Sequence, residues 1–159
     1  MEKKSFTPVD FKTAMQKAEA YCAYQERSQY EVRGKLIQLG IRGDELEEII
    51  LHLITENFLN EERFAKAYAL GKLRMKSWGK NKIAQGLKLK QVSAPLIKKA
   101  LQNLDEEEYL EKLKNLLEKK AENIKEKVAY QRNYKLMQYA LSKGFEQDLI
   151  FFLLKDNDL

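Results

Sequence analysis

The sequence predicts an all-α protein made of three tandem three-helix repeats, each helix-turn-helix-like, in an elongated and curved array. Three observations support this fold class. The 159 residues include only seven glycines and two prolines, too few for a β-protein with many turns. Helix-capping patterns recur along the chain, and one apolar pattern occurs three times at nearly equal spacing. We place the repeats at residues 8–59, 60–104 and 105–156.

Capping patterns and apolar periods predict the helices of the first repeat. In Thr7-Pro8-Val9-Asp10 we expect an N-cap threonine, a proline at the first helical position and an acid in the first turn. Ser28 and Glu31 form the capping-box pattern of a second helix. Gly40 follows that helix at the position that favours a left-handed residue. The apolar residues from Leu46 to Leu53 then predict a third helix.

The same succession predicts six more helices. In the second repeat, Phe64 to Leu73 indicate one helix, Ile83 and Leu87 a second, and Ser93 begins a third. In the third repeat, the acids of 105–108 open a helix, Leu136 and Ala140 lie on the next, and Leu149 to Leu154 form the last. The helix that contains Ala140 ends at Gly144 and Phe145.

The repeats are recognised by one set of five apolar positions, which recurs after 51 and then 53 residues. The set comprises Val32, Leu36, Ile41, Leu46 and Ile50, then Ile83, Leu87, Val92, Ile97 and Leu101, then Leu136, Ala140, Phe145, Ile150 and Leu154. Matches in register over the whole chain predict an array in which each three-helix unit completes its core against a neighbour.

Composition excludes several classes of function. The single cysteine, Cys22, excludes a disulfide framework and reads as a small core residue. The single histidine, His52, makes a His-ligated metal site or histidine-pair catalysis untenable. No catalytic constellation is present, so we predict a non-enzyme without a cofactor. No apolar run reaches the roughly 20 residues of a membrane span, and we expect a cytoplasmic monomer that does not bind membranes.

The net charge of +5 is concentrated in the middle of the chain. Residues 1–60 and 105–159 each carry a net charge of −2, whereas residues 61–104 carry +9. Both acids of that middle segment lie at its start, so nothing in the sequence from Arg63 to Leu104 offsets the basic residues. Such a block favours contact with a polyanion or an acidic protein surface.

The candidate binding residues follow from this basic block. They are Lys72, Arg74, Lys76, Trp78, Lys80, Lys82, Lys88, Lys90, Lys98 and Lys99. We expect Lys80, Lys82, Lys88 and Lys90 to be solvated, because Ile83 and Leu87 already assign the buried side of their helix. If the turn at Ser77 is short, Lys76 and Lys80 are like-charged helical neighbours. Trp78 either stacks on a base or belongs to the core.

Three strings resemble the RecX family, the bacterial regulators of the RecA recombinase. Arg27-Ser28-x-x-Glu31-Val32-Arg33-x-Lys35-Leu36 resembles its RS-x-x-EL-R-x-KL signature. Leu59-Asn60-Glu61-Glu62-Arg63-Phe64-Ala65 is similar to its L-N-D-E-R-F-A segment, with Glu61 in place of aspartate. Gly79-x-x-Lys82-Ile83, followed by Leu87-x-x-Lys90, matches a third stretch. Because Gln91-Val92 replaces the usual Gly-Ile, we do not expect a left-handed glycine cap in the middle turn.

The resemblance implies a protein that binds in the groove of the RecA–DNA filament. It would inhibit recombinase activity in recombination, DNA repair and the SOS response. RecA, single-stranded DNA and double-stranded DNA are the implied partners. The motif residues implied to matter are Arg27, Ser28, Glu31, Arg33, Lys35, Leu36, Arg63, Phe64 and Ala65.

Two other functions stay open at this point. One is a helix-turn-helix transcription regulator. Such a protein would have a recognition helix that contacts base edges, usually through Arg, Asn or Gln. The basic block is mainly lysine, which suits phosphates better than base edges. The other is a structural scaffold, for which we expect no partner whose binding depends on salt concentration.

Overall fold

A computed structural model describes residues 9–156. These residues form nine α-helices and contain no strand. The helices are α1 (Phe11–Tyr24), α2 (Gln29–Gln38), α3 (Gly43–Thr55), α4 (Glu61–Lys76), α5 (Lys80–Leu89), α6 (Ala94–Gln102), α7 (Glu106–Ala121), α8 (Ala129–Ser142) and α9 (Gln147–Asp156). The predicted all-α class and the order of three helices per repeat are therefore confirmed.

The first helix begins later than its capping pattern predicted. Asp10 is the N-cap of α1 and its side chain accepts a hydrogen bond from the Thr13 N–H (2.7 Å). Thr7 and Pro8, the predicted cap and first helical residue, lie outside the described residues. The placement of Asp10 in the first turn was wrong, because the carboxylate itself caps the helix. Hydrogen bonding to Thr13, first to its side chain and then to its backbone N–H, lowers the pKa of Asp10.

The second helix is capped as predicted. The Glu31 N–H donates to Ser28 Oγ (3.1 Å), and the Ser28 N–H donates to Glu31 Oε1 (3.1 Å). This reciprocal pair completes the capping box. At the other end, Gly40 has a φ of +87°, and the Ile41 N–H donates to the Leu36 carbonyl (2.9 Å). The left-handed glycine after α2 is thus confirmed.

The threefold apolar pattern corresponds to the buried core. Of its positions, all are buried except Leu101 and Leu154, which are half-buried. The turn after the second helix of each repeat has a left-handed residue, with φ values of +87° at Gly40, +57° at Gln91 and +93° at Gly144. The middle turn therefore adopts the same conformation without a glycine.

The described residues belong to two compact units. The first comprises the chain up to Ala65 together with Lys90–Val92, and the second comprises Lys66–Leu89 together with the chain from Ser93 onward. In the first unit α1, α2 and α3 all contact one another, around a core of Ala14, Ala18, Cys22, Val32, Leu36, Ile41, Leu46, Ile49, Ile50, Leu53 and Leu59. In the second unit α8 contacts both α7 and α9, and α5 contacts α6.

Within the second unit, the start of α5 packs against the turn between α8 and α9. The Gly79 N–H donates to the Lys143 carbonyl (2.8 Å), and the Asn81 N–H donates to the Gly144 carbonyl (3.0 Å). A Cβ at Gly79 would lie 2.4 Å from the carbonyl carbon of Gly144. The backbones approach this closely only because position 79 has no side chain.

Candidate polyanion-binding surface

The predicted binding residues differ in exposure. Arg74, Lys76, Lys88, Lys98 and Lys99 are exposed, whereas Lys72, Trp78, Lys80, Lys82 and Lys90 are half-buried. The expectation that Lys80, Lys82, Lys88 and Lys90 are all solvated was therefore correct only for Lys88. The ammonium groups of the other three lie near partners within the chain, which are the rings of Tyr109 and Trp78 and the carboxylate of Glu31.

Trp78 lies between two of these lysines. The ammonium groups of Lys72 on α4 and Lys82 on α5 are each 4.8 Å from the centre of the indole ring. Such cation–π contacts stabilise the charge of a lysine without neutralising it. Trp78 is half-buried, so it is neither a fully buried core residue nor an open stacking platform. Lys72 and Lys82 thus hold the indole ring of Trp78 between α4 and α5.

Lys80 begins α5 beside a buried tyrosine. Its ammonium group lies 4.9 Å from the centre of the Tyr109 ring, and its backbone N–H donates to the Tyr109 hydroxyl (2.9 Å). That hydroxyl donates in turn to Glu146. Burial, followed by the contact with Glu146, raises the pKa of Tyr109 well above its ordinary value. The hydroxyl therefore stays protonated and joins α5, α7 and the segment before α9.

Acids from outside the basic block neutralise part of it. Arg74 donates two hydrogen bonds to Glu108, from Nε (2.5 Å) and from a terminal nitrogen (3.1 Å). Lys90 Nζ lies 3.6 Å from Glu31 Oε2. The Arg74 guanidinium lowers the pKa of Glu108. No acid lies between Arg63 and Leu104 in the sequence, but folding brings acids from outside this stretch to two of its basic residues.

The proposed helical pair of Lys76 and Lys80 was also wrong. Helix α4 ends at Lys76 and α5 begins at Lys80. Ser77, between them, has a φ of +53°, which breaks the helix. The two lysines therefore belong to different helices.

The residues of the first family string are structural in this fold. Ser28 is fully buried and Leu36 lies in the core. The Arg27 guanidinium lies 3.7 Å from the centre of the Tyr21 ring, and its Nε donates to the Tyr21 carbonyl (2.9 Å). Lys35 approaches the same ring at 5.7 Å. These side chains hold the end of α1 against α2.

Two arginines of the strings connect further segments of the first unit. Arg33 forms a two-point pair with Glu47 of α3, at 2.6 and 3.1 Å. Arg63 Nε donates to Glu26 (2.5 Å), and a terminal nitrogen donates to the Asn57 carbonyl (3.0 Å). Such planar donor pairs suit an arginine better than a lysine. The loop before α4 is thereby fixed to the end of α1.

The remaining motif residues complete this junction. Phe64 and Ala65 are buried, as predicted for Phe64. Glu61 Oε1 accepts a hydrogen bond from the Gln29 N–H at the start of α2 (2.7 Å). An acid at position 61 can therefore stabilise the N-terminus of a neighbouring helix, where a negative charge is favourable.

A groove in the second unit collects lysines that the sequence did not single out. It has a volume of about 420 Å³ and lies where α4, α7 and α8 end. Its lining comprises Met75, Lys76, Ser77, Lys112, Asn115, Leu116, Lys119, Lys120, Asn123, Tyr139 and Lys143. Below it is called the lysine groove. Only Lys76 among its lysines was predicted, because the many acids of residues 105–159 mask this local excess in a count along the chain.

Cys22 and His52 are the single cysteine and the single histidine of the chain, and neither belongs to a reactive site. Burial raises the pKa of the Cys22 thiol to about 11, so this core residue stays protonated and unreactive at neutral pH. His52 is half-buried, with Nε2 at 3.8 Å from Glu19 Oε1. In the part of the chain that the structure describes, no cluster of three or more His, Cys, Asp or Glu side chains could hold a metal ion. No helix of residues 9–156 is both long and apolar enough to span a membrane.

Models of three RecX domains match the chain in order. The model of the first three-helix domain matches residues 14–53, that of the second matches 60–101, and that of the third matches 106–154.

Several proteins described as "Regulatory protein RecX" are similar to the chain. The protein of Clostridium perfringens (strain 13 / Type A) is 35% identical over 124 residues, which are 77% of this chain and 58% of that protein. For Lactobacillus johnsonii the identity is 32% over 92% of this chain and 54% of the relative. The protein of Haemophilus influenzae (strain PittGG) is 31% identical over 85% of this chain and 88% of that protein. The chain thus spans little more than half of the first two relatives.

Solved structures agree with these matches. The crystal structure of RecX from Lactobacillus salivarius superposes with a TM-score of 0.83 at 27% identity, over 92% of this chain and 95% of that one. A second crystal structure, of a regulatory protein RecX, shares the fold with a TM-score of 0.81 at 22% identity.

Proposed function

Because the chain belongs to the RecX family of regulatory proteins, we propose that it binds the RecA–DNA filament and mainly inhibits the recombinase. The observation that carries this proposal is the match of all three RecX domains, in order, to the three helix triplets. The proposed setting is recombination and DNA repair, including the SOS response. The protein acts in the cytoplasm as a monomeric binding protein, without catalysis or a cofactor.

We propose the exposed lysines of the middle repeat as the filament contact. Lys88 on α5 and Lys98 on α6 are exposed members of the predicted set. They are among the residues of the basic block that folding leaves exposed. A phosphate backbone or an acidic protein surface would be attracted to them. The half-buried residues of the predicted set help to position the helices that carry these exposed lysines. They are Lys72, Trp78, Lys80, Lys82 and Lys90.

The repeat boundaries at residues 8–59, 60–104 and 105–156 are part of the proposal. The junctions after residues 59 and 104 lie between helices, before α4 and before α7. Limited proteolysis tests them: the first cuts inside the chain should fall within a few residues of these junctions.

The activity is tested by a titration of the RecA ATPase on single-stranded DNA. We expect the rate of ATP hydrolysis to fall as the protein is added, and to recover as salt is raised, because charge attraction is screened. An unchanged rate at a several-fold molar excess of the protein over RecA would contradict the proposed inhibition.

The contact surface is tested by charge reversal at Lys88 and Lys98. For Lys88→Glu with Lys98→Glu we expect the concentration for half-inhibition to rise about tenfold, since two exposed attractions become repulsions. Lys17→Glu with Lys114→Glu is the matched control. Both control residues are exposed and belong to no predicted site. If both double variants inhibit like the parent, or weaken equally, the surface is assigned wrongly.

A further inference from the structure

The lysine groove is lined by several positive charges and, among the described residues, by no acidic side chain. These charges belong to five lysines. Lys112 lies close enough to Glu108 for their charges to interact. Glu108 is already bound at two points by Arg74. Lys112 Nζ donates to the Arg74 carbonyl (3.3 Å), which orients this ammonium group without neutralising it.

Helix dipoles explain only part of this concentration. Lys76 is the last residue of α4, Lys119 and Lys120 lie in the last turn of α7, and Lys143 is the C-cap of α8. A helix C-terminus is equivalent to about −0.5 charge and favours a nearby cation. Three such ends offset roughly −1.5 of the five positive charges. The helix ends therefore do not account for all five lysines of the lining, which present positive charge to an anion in the groove.

The other groups in the groove suit a nucleotide chain. The Lys120 ammonium lies 4.7 Å from the centre of the Tyr139 ring, so an aromatic surface adjoins the charges. Asn115 and Asn123 add side-chain amides, which can donate and accept hydrogen bonds. Proteins that bind single strands combine a positive groove for the backbone with aromatic rings and tolerate many sequences. An acidic peptide would use the charges but not the ring.

We propose that the lysine groove binds the phosphate backbone of a single nucleic-acid strand directly, in the absence of a recombinase. This inference rests on the proposed function, because the single strand bound in the groove would be the DNA of the RecA filament. It places a nucleic-acid contact on helices of the third repeat, where the sequence singled out no binding residue.

The test measures the anisotropy of a fluorescein-labelled oligothymidylate titrated with the full chain at several salt concentrations. With five phosphate contacts, the logarithm of the association constant should fall against the logarithm of salt with a slope of about −3.5. For Lys76→Gln with Lys119→Gln we expect a slope of about −2.1 and a roughly 20-fold loss of affinity near 0.1 M salt. RecA is absent, so failure here is separate from failure to inhibit the ATPase.

The control variant is Lys17→Gln with Lys114→Gln, which removes the same charge from exposed positions outside the groove. It should keep the parent slope and lose less than about threefold in affinity, since distant exposed charges are screened. Far-UV circular dichroism checks that both variants are folded. Equal losses in the two variants, an unchanged slope for the groove variant, or equally tight binding of a labelled poly-glutamate chain would each overturn the proposal.

Discussion

At position 91 the backbone adopts a conformation that its residue does not favour. Gln91 has a φ of +57°, and Gly40 and Gly144 occupy the corresponding turns with φ of +87° and +93°. A side chain costs roughly 1–2 kcal/mol in this region, because Cβ crowds the following carbonyl oxygen. The next residue, Val92, is buried at 5% exposure. The burial of Val92 therefore holds the turn in this conformation.

Replacing Gln91 by glycine should stabilise the protein. We expect Gln91→Gly to raise the free energy of unfolding by about 0.5–1 kcal/mol, since the relief of strain exceeds the entropy that a glycine loses on folding. Gly40→Ala is the converse change and should lower it by about 1–2 kcal/mol. Urea denaturation followed by circular dichroism measures both. A less stable Gln91→Gly would show that the glutamine is favourable in this turn.

Phe64 is a structural residue of the second family string. It is 5% exposed, and Phe64→Ala should cost about 3–5 kcal/mol through lost burial and the cavity that remains. Phe151, which is 60% exposed, provides the comparison, because Phe151→Ala should change stability by less than about 0.5 kcal/mol. Thermal melting distinguishes them. Similar melting temperatures for the two variants would mean that Phe64 is not part of the packed core.

At the scale of elements, α5 is held at its N-terminus by the turn between α8 and α9. Backbone hydrogen bonds from Gly79 and Asn81 reach Lys143 and Gly144, and the Tyr109 hydroxyl accepts from the Lys80 N–H. The first turn of a helix leaves N–H groups without intrahelical partners. Here another turn and a tyrosine satisfy them. The glycine of the third family string is therefore explained by backbone packing.

A methyl group at position 79 should disrupt this contact. We expect Gly79→Ala to destabilise the protein by about 2–3 kcal/mol, because its Cβ would lie 2.4 Å from backbone atoms that cannot rotate away. Gly71→Ala is the control within α4. No atom lies within 4 Å of a Cβ there, so alanine should stabilise the helix by about 0.5–1 kcal/mol. Equal melting temperatures for Gly79→Ala and the parent would contradict the packing described.

At the scale of the whole molecule, ion pairs join different segments of the chain. Arg33 pairs with Glu47, Arg74 with Glu108, and Lys135 with Glu126. Each basic partner lowers the pKa of its carboxyl group. The pair of Arg74 with Glu108 joins the basic middle block to the segment that follows it, so charges that a linear count assigns to separate blocks meet in the folded chain.

These lowered pKa values predict the pH dependence of stability. A carboxyl group whose pKa is lower in the folded state binds protons more readily when unfolded, so its contribution is present above about pH 4 and is lost as the pH falls through the folded value. The melting temperature should therefore decrease from pH 5 to pH 2.5. In Glu108→Gln this decrease should be smaller. A melting temperature that rises over the same interval would contradict the ion pairing.

The elongated, curved arrangement of the repeats stays a prediction. It follows only from the threefold apolar register, since an array of similar units extends along one direction. Small-angle X-ray scattering of the chain in solution is the measurement that tests it. A maximum dimension no greater than that of a compact protein of 159 residues would contradict it.

The helices, the cap of α2 and most of the core could be predicted from the sequence alone. Apolar period and capping chemistry are local, so the capping box of Ser28 and the left-handed Gly40 could be predicted from neighbouring residues alone. Which lysines remain accessible could not be predicted from the sequence and follows from the packing of the helices. Lys82 stacks on Trp78, Lys90 meets Glu31, and lysines from three separate helices line one groove. Electrostatic interactions depend on distance in space, and partners such as Lys90 and Glu31 lie far apart along the chain.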